Sequence, residues 1–147
     1  MPDSSVQFFF EDTKPFELNS NGTITWLQQI TQERDYQIGE ISYIFCSDTY
    51  LLDINKSYLD HDYYTDIITF DNSEEEGLLE GDLFISIDRV NENAKDNNIA
   101  PSIELRRVMA HGLLHLMGLK DKTPEQISEM RKSEDACLSL WEKIQGV

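Results

Sequence analysis

The sequence predicts an α+β fold, a layered α/β arrangement in which a small mixed sheet of four strands packs with about five helices. Two observations support this prediction. Short runs rich in β-branched and aromatic residues alternate with longer segments whose apolar residues recur at helical spacing. The chain has 147 residues, of which 39% are hydrophobic and 27% charged, and this suits one buried core. We therefore expect residues 1–147 to form a single domain.

Four segments have the composition of strands, and the second alternates apolar and polar residues as a half-buried strand does. An acidic, solvent-exposed loop separates the third and fourth strands, so we expect these two strands to run antiparallel. The predicted strands are SVQFFF (5–10), EISYIFCS (40–47), TDIITF (65–70) and GDLFISI (81–87).

Five segments are predicted as helices because capping residues precede apolar residues at helical spacing. Thr23 should cap the first helix, Ser47 or Asp48 should open the second, and Gly118 should stop the fourth. The fifth begins at Thr123, with proline at the first helical position and glutamine at the third. The predicted helices are 23–32, 48–58, 86–96, 101–117 and a last helix from 123 that carries an apolar stripe to 144.

Charge and hydropathy restrict the classes of protein that this chain can represent. The formal net charge of −16 argues against nonspecific attraction to nucleic acid, which depends on lysine and arginine. We expect a cytoplasmic protein without a membrane span, because the first residues lack the features of a signal peptide and no apolar run is long enough. Cys46 and Cys137 lack paired spacing and are expected to be buried free thiols.

The stretch HGLLHLMGLKD (111–121) has the spacing of a metal site. His111 and His115 are one helical turn apart and point in nearly the same direction, so both imidazoles can reach one ion. Gly118 allows the chain to reverse, and Asp121 can then supply a third ligand and leave a fourth position for water. Each residue alone has an ordinary structural explanation, but the three together favour a divalent metal ion.

The neighbours of the histidines narrow the chemistry further. Zinc peptidases of the HExxH type carry a glutamate after the first histidine, whereas this chain has Gly112, which indicates close packing of another element instead. Glu104 and Arg107 lie two turns earlier on the same face. Glu104 could orient a ligand histidine through its far ring nitrogen, although an exposed ion pair is the more frequent role of such residues.

Beyond these features, HGLLHLMGLKD resembles the HGxLHLxGxDH signature of the bacterial YbeY family of metal-dependent endoribonucleases. INKSYLDHDYYTDIITF is similar to that family's LNxxYRxxDxPTDVLSF block, and EGDLFIS is similar to its GDIxIS strand. SEMRKSED stands where the family has an acidic, methionine-bearing last helix, so the resemblance covers about residues 38–140 in the family's order.

The resemblance implies a small mixed sheet flanked by helices and one zinc-like ion held by three histidines. It also implies cytoplasmic work on the ends of 16S ribosomal RNA and in ribosome quality control. The partners that it implies are the 16S precursor RNA, a small ribosomal subunit protein and an Era-type GTPase.

The chain departs from the family pattern at two positions. The family's third histidine falls on Asp121, which gives two nitrogen ligands and one oxygen; alternatively, Asp121 is the signature's own aspartate in a shifted loop. A carboxylate lowers the site charge by one unit and favours Mn²⁺ beside Zn²⁺. Leu59 stands where the family carries an arginine that faces the scissile phosphate. His61 or Lys56 could supply a cation instead, or both could be surface residues.

The leading functional hypothesis is a single-strand endoribonuclease in ribosomal RNA processing. His111, His115 and Asp121 would hold the ion, and its bound water would be the nucleophile; no other catalytic group is assigned. Arg89, Arg107, Lys120 and Lys122 are candidates for guiding the RNA backbone, and Tyr63 and Tyr64 are candidates for base stacking or for simple packing.

Two alternatives stay open at this point. One is a non-catalytic ribosome-assembly factor whose ion holds the last two helices together, and the acidic surface and Leu59 favour it. The other is a metal-dependent hydrolase of a different substrate, and Gly112 weighs against a peptidase of that kind.

Overall fold

A computed structural model describes residues 5–144 of the chain. Within this part, four strands form one sheet and five helices pack around it. The strands are β1 (Ser5–Glu11), β2 (Gln37–Cys46), β3 (Ile67–Asp71) and β4 (Leu78–Ser86). The helices are α1 (Ser20–Gln32), α2 (Asp48–Leu59), α3 (Ile87–Asp96), α4 (Pro101–Leu116) and α5 (Pro124–Ile144).

The sheet is mixed, with the strand order β1-β2-β4-β3. β1 and β4 both run parallel to β2, whereas β3 runs antiparallel to β4 through a short hairpin. Gly77 allows the hairpin to turn, because its φ of +83° lies in the left-handed region that favours glycine. The predicted α+β class and the predicted antiparallel return are both confirmed.

Three predicted element starts were wrong by several residues. α1 is capped by Asn19, whose side chain accepts a hydrogen bond from the Gly22 N–H, and Thr23 lies buried inside the helix. β2 begins at Gln37 rather than at position 40, and β4 begins at Leu78 rather than at position 81, because Gln37 and Leu78 pair with each other. In each case the sequence has a capping or pairing residue upstream of the predicted one.

Two other predicted caps are present, at the starts of α2 and α5. Ser47 accepts a hydrogen bond from the Tyr50 N–H at the start of α2. Ser86, which the sequence did not single out as a cap, accepts from the Arg89 N–H at the start of α3. Thr123 and Gln126 form a reciprocal capping box at the start of α5, since the side chain of each accepts from the backbone N–H of the other.

The main core lies on one face of the sheet, beneath α1, α4 and α5. Trp26, Tyr43 and Phe45 are its largest fully buried side chains. Their polar atoms are satisfied, because Trp26 Nε1 donates to the Cys137 carbonyl at 2.8 Å and Tyr43 Oη donates to the Met109 carbonyl at 3.0 Å. α2 covers part of the opposite face through a smaller apolar cluster.

Gly112 sets how closely α4 approaches the sheet. A Cβ added there would lie 2.5 Å from Leu83 Cδ2 and 2.7 Å from Ile67 Cδ1. The absence of a side chain therefore brings α4 against β3 and β4, as the sequence predicted for a close-packed element. The histidines on either side of Gly112 consequently lie beside the edge strand β3.

Cys46 and Cys137 are free and buried, as predicted. Over residues 5–144, no helix combines the length and the apolar character needed to cross a membrane.

Candidate metal centre

Three side chains converge where α4 ends. Asp121 Oδ2 lies 3.3 Å from His111 Nε2 and 3.4 Å from His115 Nε2. The two imidazole rings are 4.6 Å apart between centroids, and one ligand atom from each residue lies within 4.8 Å of the others. The three residues predicted from spacing thus form a group that could hold a metal ion.

The turn after α4 carries Asp121 back to the histidines. Gly118 has a φ of +99°, and its N–H donates to the His115 carbonyl. The Leu119 N–H donates to the Leu114 carbonyl, so the chain folds back over the last helical turn. This is the reversal that the sequence predicts from the glycine.

Glu134 of α5 fixes the orientation of His111. Its Oε2 lies 2.6 Å from His111 Nδ1, and its Oε1 accepts from Arg107 Nη1 at 3.0 Å. Arg107 also donates to Asp135 at 2.8 Å, which holds the guanidinium in place. Because an ionised carboxylate only accepts hydrogen bonds, His111 donates its Nδ1 proton to Glu134, and in the neutral ring the Nε2 lone pair faces Asp121.

The same contacts govern the charge of the pair. Burial disfavours ionisation of Glu134, but the hydrogen bonds from His111 and Arg107 outweigh it and hold the pKa of Glu134 below its usual range. Burial also disfavours the His111 cation, yet the Glu134 hydrogen bond and charge raise the pKa of His111. Glu134 is therefore a stable acceptor for the His111 ring.

Glu104, which the sequence suggested as the orienting carboxylate, does not have that role. It is buried, and its pKa is raised first by burial and then by the nearby charge of Asp66. The residue that sequence reasoning missed is Glu134, which lies 23 positions after His111. SEMRKSED contains it, but only the packing of α5 against α4 selects it over the other acids.

The candidate metal centre opens into a cavity of about 590 Å³. β3 and the loop before it form the opposite wall, and Leu59 and His61 both line the cavity. Asp66 lies on the same wall, where burial raises its pKa despite the opposing effect of His111. The three converging side chains are thus accessible from this cavity.

The cations predicted to guide RNA are distributed unevenly. Lys122 lines the cavity, and Lys120 is exposed but lies outside the lining. Arg89 pairs with Asp48 at 2.7 Å. Arg107 is occupied by Glu134 and Asp135. Of these four residues, only Lys122 has a charge at the cavity surface.

Of the two residues suggested to compensate for Leu59, His61 lines the cavity. Lys56 instead forms an exposed ion pair with Asp62 at 3.4 Å. Tyr63 also lines the cavity, whereas Tyr64 lies under the Arg89 guanidinium, 5.4 Å from ring centroid to Cζ.

The donor set suits a divalent transition ion. Two imidazole nitrogens and one carboxylate oxygen are the ligands that Zn²⁺ accepts in open sites, and Mn²⁺ tolerates the same mixture. The hydrogen bond to Glu134 adds support, because it orients the His111 ring with Nε2 toward Asp121.

Comparisons with known proteins show the family to which the chain belongs. The sequence model of the family described as Endoribonuclease YbeY matches residues 9–142. A protein named Endoribonuclease YbeY from Cytophaga hutchinsonii is 55% identical over 141 residues, which cover 95% of this chain and 98% of that protein. The protein of the same name from Porphyromonas gingivalis is 45% identical over 143 residues, covering 97% of this chain and 94% of the relative.

A solution structure of a Thermotoga maritima protein has a similar fold, with a TM-score of 0.66 at 22% sequence identity. The alignment covers 94% of this chain and 89% of that one. The sequence matches extend over almost the whole described fold and include the converging side chains, and on this basis the chain belongs to the Endoribonuclease YbeY family.

Proposed function

We propose that this protein is a metal-dependent endoribonuclease that cuts single-stranded RNA during 16S ribosomal RNA maturation and ribosome quality control in the cytoplasm. The observation that carries the proposal is the convergence of His111, His115 and Asp121 at an open cavity. Family membership supplies the reaction class, since the relatives are named endoribonucleases.

The ion that suits this donor set best is Zn²⁺, with Mn²⁺ as the second choice because of the carboxylate. When bound, a divalent ion supplies a Lewis acid for the phosphate and lowers the pKa of a coordinated water. His111 and His115 would each provide one ring nitrogen as a ligand from the same face of α4. Asp121 would provide a negatively charged oxygen from the turn after α4.

The remaining residues position the site and its substrate. Glu134 and Arg107 keep the His111 ring oriented, so Arg107 acts within the protein rather than on RNA. Lys122 lines the cavity and would attract the RNA backbone there, and the exposed Lys120 is close to it in the chain.

We further propose that the protein works with a small ribosomal subunit protein and an Era-type GTPase. Charge supports a basic partner, because the formal net charge is −16. Glu40, Glu74, Glu80 and Asp82 line a concave region beside the sheet, to which a basic surface could bind.

Elemental analysis and RNA cleavage test the proposed activity together. Purified protein should contain about one divalent ion and should cleave a 16S precursor fragment, whereas His115→Ala and Asp121→Ala should lose the ion and the cleavage. His61→Ala is the matched control for metal content, because the third histidine lies outside the converging group. Equal cleavage by wild type and His115→Ala would attribute the activity to a contaminant.

A non-catalytic assembly factor is the second candidate, and one observation favours it. The converging group, together with Glu134, connects α4, the following turn and α5, so an ion there would hold these elements together. In that case chelation should lower the melting temperature, and metal-loaded protein should not cleave RNA.

A further inference from the structure

The wall of the cavity opposite α4 carries an exposed aromatic pair. The rings of His61 and Tyr63 stack with centroids 5.1 Å apart and planes inclined by 22°. A hydrogen bond of 3.0 Å joins Tyr63 Oη to His61 Nδ1. Both residues line the same cavity as His111 and His115, and Tyr63 is 55% exposed. The pair thus offers ring surface to solvent beside the candidate metal centre.

The pair is held in position by Asn55 of α2, which is buried. Its carbonyl accepts from the His61 N–H at 3.0 Å, and its side-chain amide donates to the Tyr63 carbonyl at 2.9 Å. The loop leaves α2 through Asp60 in the left-handed conformation, with a φ of +56°. Asn55 therefore holds both ring-bearing residues, His61 through its backbone carbonyl and Tyr63 through its side chain, so the ring surface is formed before any ligand arrives.

The charges around the cavity do not favour a polyanion. Among the described residues that line it, Asp66, Asp71 and Asp121 are acidic and Lys122 is the one lysine. The apolar Leu59 lies in the same lining, at the position where the family resemblance implies an arginine. Attraction to phosphates is consequently weak, whereas base stacking on aromatic rings does not depend on cations.

We propose that His61 and Tyr63, with Leu59 beside them, form a platform that holds one unpaired RNA base at the mouth of the metal cavity. This inference rests on the proposed ribonuclease function and adds a specificity element to it. The platform requires a base that is free to leave its stack, so it selects single-stranded RNA over duplex. It positions the chain by a base contact where the family arginine would contact a phosphate.

Binding of metal-free protein to single-stranded RNA tests the platform without any cleavage. The probes are short RNAs in EDTA that carry the fluorescent base 2-aminopurine at successive positions. Stacking should quench the fluorescence at one or two positions with wild-type protein. Tyr63→Leu should abolish that quenching and weaken binding by roughly tenfold, because one base stack is lost.

Two variants separate the ring from other effects. Tyr63→Phe keeps the ring and loses only the hydrogen bond to His61, so it should retain the quenching. Tyr58→Leu removes a more exposed tyrosine, 73% accessible, that does not line the cavity, and it should bind as wild type does. The platform is overturned if wild-type protein quenches the fluorescence at no position or if Tyr63→Leu quenches it normally. It is also overturned if Tyr58→Leu loses as much quenching and RNA affinity as Tyr63→Leu does.

An abasic nucleotide at the quenched position tests the contact itself. It should weaken wild-type binding by about the same factor as Tyr63→Leu does, and it should have little further effect on Tyr63→Leu. If the abasic nucleotide and Tyr63→Leu instead weakened RNA binding additively, a direct contact between that base and Tyr63 would be contradicted. Cleavage assays keep the two proposals distinct: RNA binding with quenching but no cleavage refutes the nuclease, and normal cleavage and binding by Tyr63→Leu refute the platform.

Discussion

Glu134 connects the last helix to the candidate metal centre through one carboxylate. Its two oxygens have separate partners, His111 on one side and Arg107 on the other. The carboxylate therefore orients the imidazole while the guanidinium balances its charge in a buried place. At the scale of single residues, this contact distinguishes a prepared metal centre from three polar side chains that happen to be close.

Replacing Glu134 with glutamine should weaken the binding of Zn²⁺ by roughly 10- to 100-fold. The amide keeps the size of the side chain but no longer provides a charged acceptor for His111 Nδ1–H. Competition with a chromogenic chelator measures the affinity. Glu129→Gln, an exposed acid on the same helix, is the control and should bind as wild type does. Unchanged affinity in Glu134→Gln would mean that the contact does not support the ligand.

The two cysteines should be inert in the folded protein. Burial raises the pKa of Cys46 to about 12, with nearby acids adding to the effect, and burial raises the pKa of Cys137 to about 11. Alkylation requires the thiolate, so at pH 8 iodoacetamide should label neither residue in native protein and both in urea. Rapid labelling of the native protein would place a thiol at the surface.

At the scale of elements, local signals predicted more than distant ones. Three predictions depend on residues within one or two helical turns of each other, and the structure has all three. They are the convergence of the two histidines, the turn at Gly118 and the capping box at Thr123. The start of α1 was misplaced because Asn19 competes with Thr23 for the same helix. The partner of His111 could not be chosen from the sequence, because it depends on how α5 packs against α4.

Gly112→Ala should destabilise the protein by up to about 2 kcal/mol, because a gain in helix propensity partly offsets the cost of overpacking. Alanine gains about 1 kcal/mol of helix propensity. Its methyl group would lie 2.5 Å from Leu83 Cδ2 in a packed core, and such overpacking costs about 1–3 kcal/mol.

Urea denaturation measures the free energy of unfolding of this variant. Ser128→Ala, at an exposed position of α5, is the reference and should change stability by less than about 0.5 kcal/mol. A gain of stability in Gly112→Ala would show that α4 can move away from the sheet. The same packing leaves no room for a glutamate at this position, which agrees with the exclusion of an HExxH peptidase.

At the scale of the whole molecule, acidic charge and RNA chemistry coexist because the site is local. The net charge of −16 disfavours general binding to nucleic acid, whereas the proposed metal ion and ring surface would act over a few ångströms. Fold class follows from periodic sequence patterns. The meeting of α2, β3 and α4 around one cavity, and the contact of α5 with His111, are tertiary properties.

Metal loading should raise the melting temperature. At a free ion concentration 100 times the dissociation constant, binding contributes about 2.7 kcal/mol, which corresponds to about 5–10 °C for a chain of this length. Scanning calorimetry of wild type with and without Zn²⁺ measures the shift, and His115→Ala should show little of it. An equal shift in His115→Ala would place the ion elsewhere.

The Glu134 contact has a consequence for biosynthesis. Translation delivers His111, His115 and Asp121 before it delivers Glu134, so a nascent or prematurely terminated polypeptide can carry all three candidate ligands without the carboxylate that orients His111. Such a product would also lack the Cys137 carbonyl that receives Trp26 Nε1 from α1. Interrupted synthesis should therefore yield a species that is defective in metal retention and in folding at once, and proteolysis can remove it before it encounters RNA.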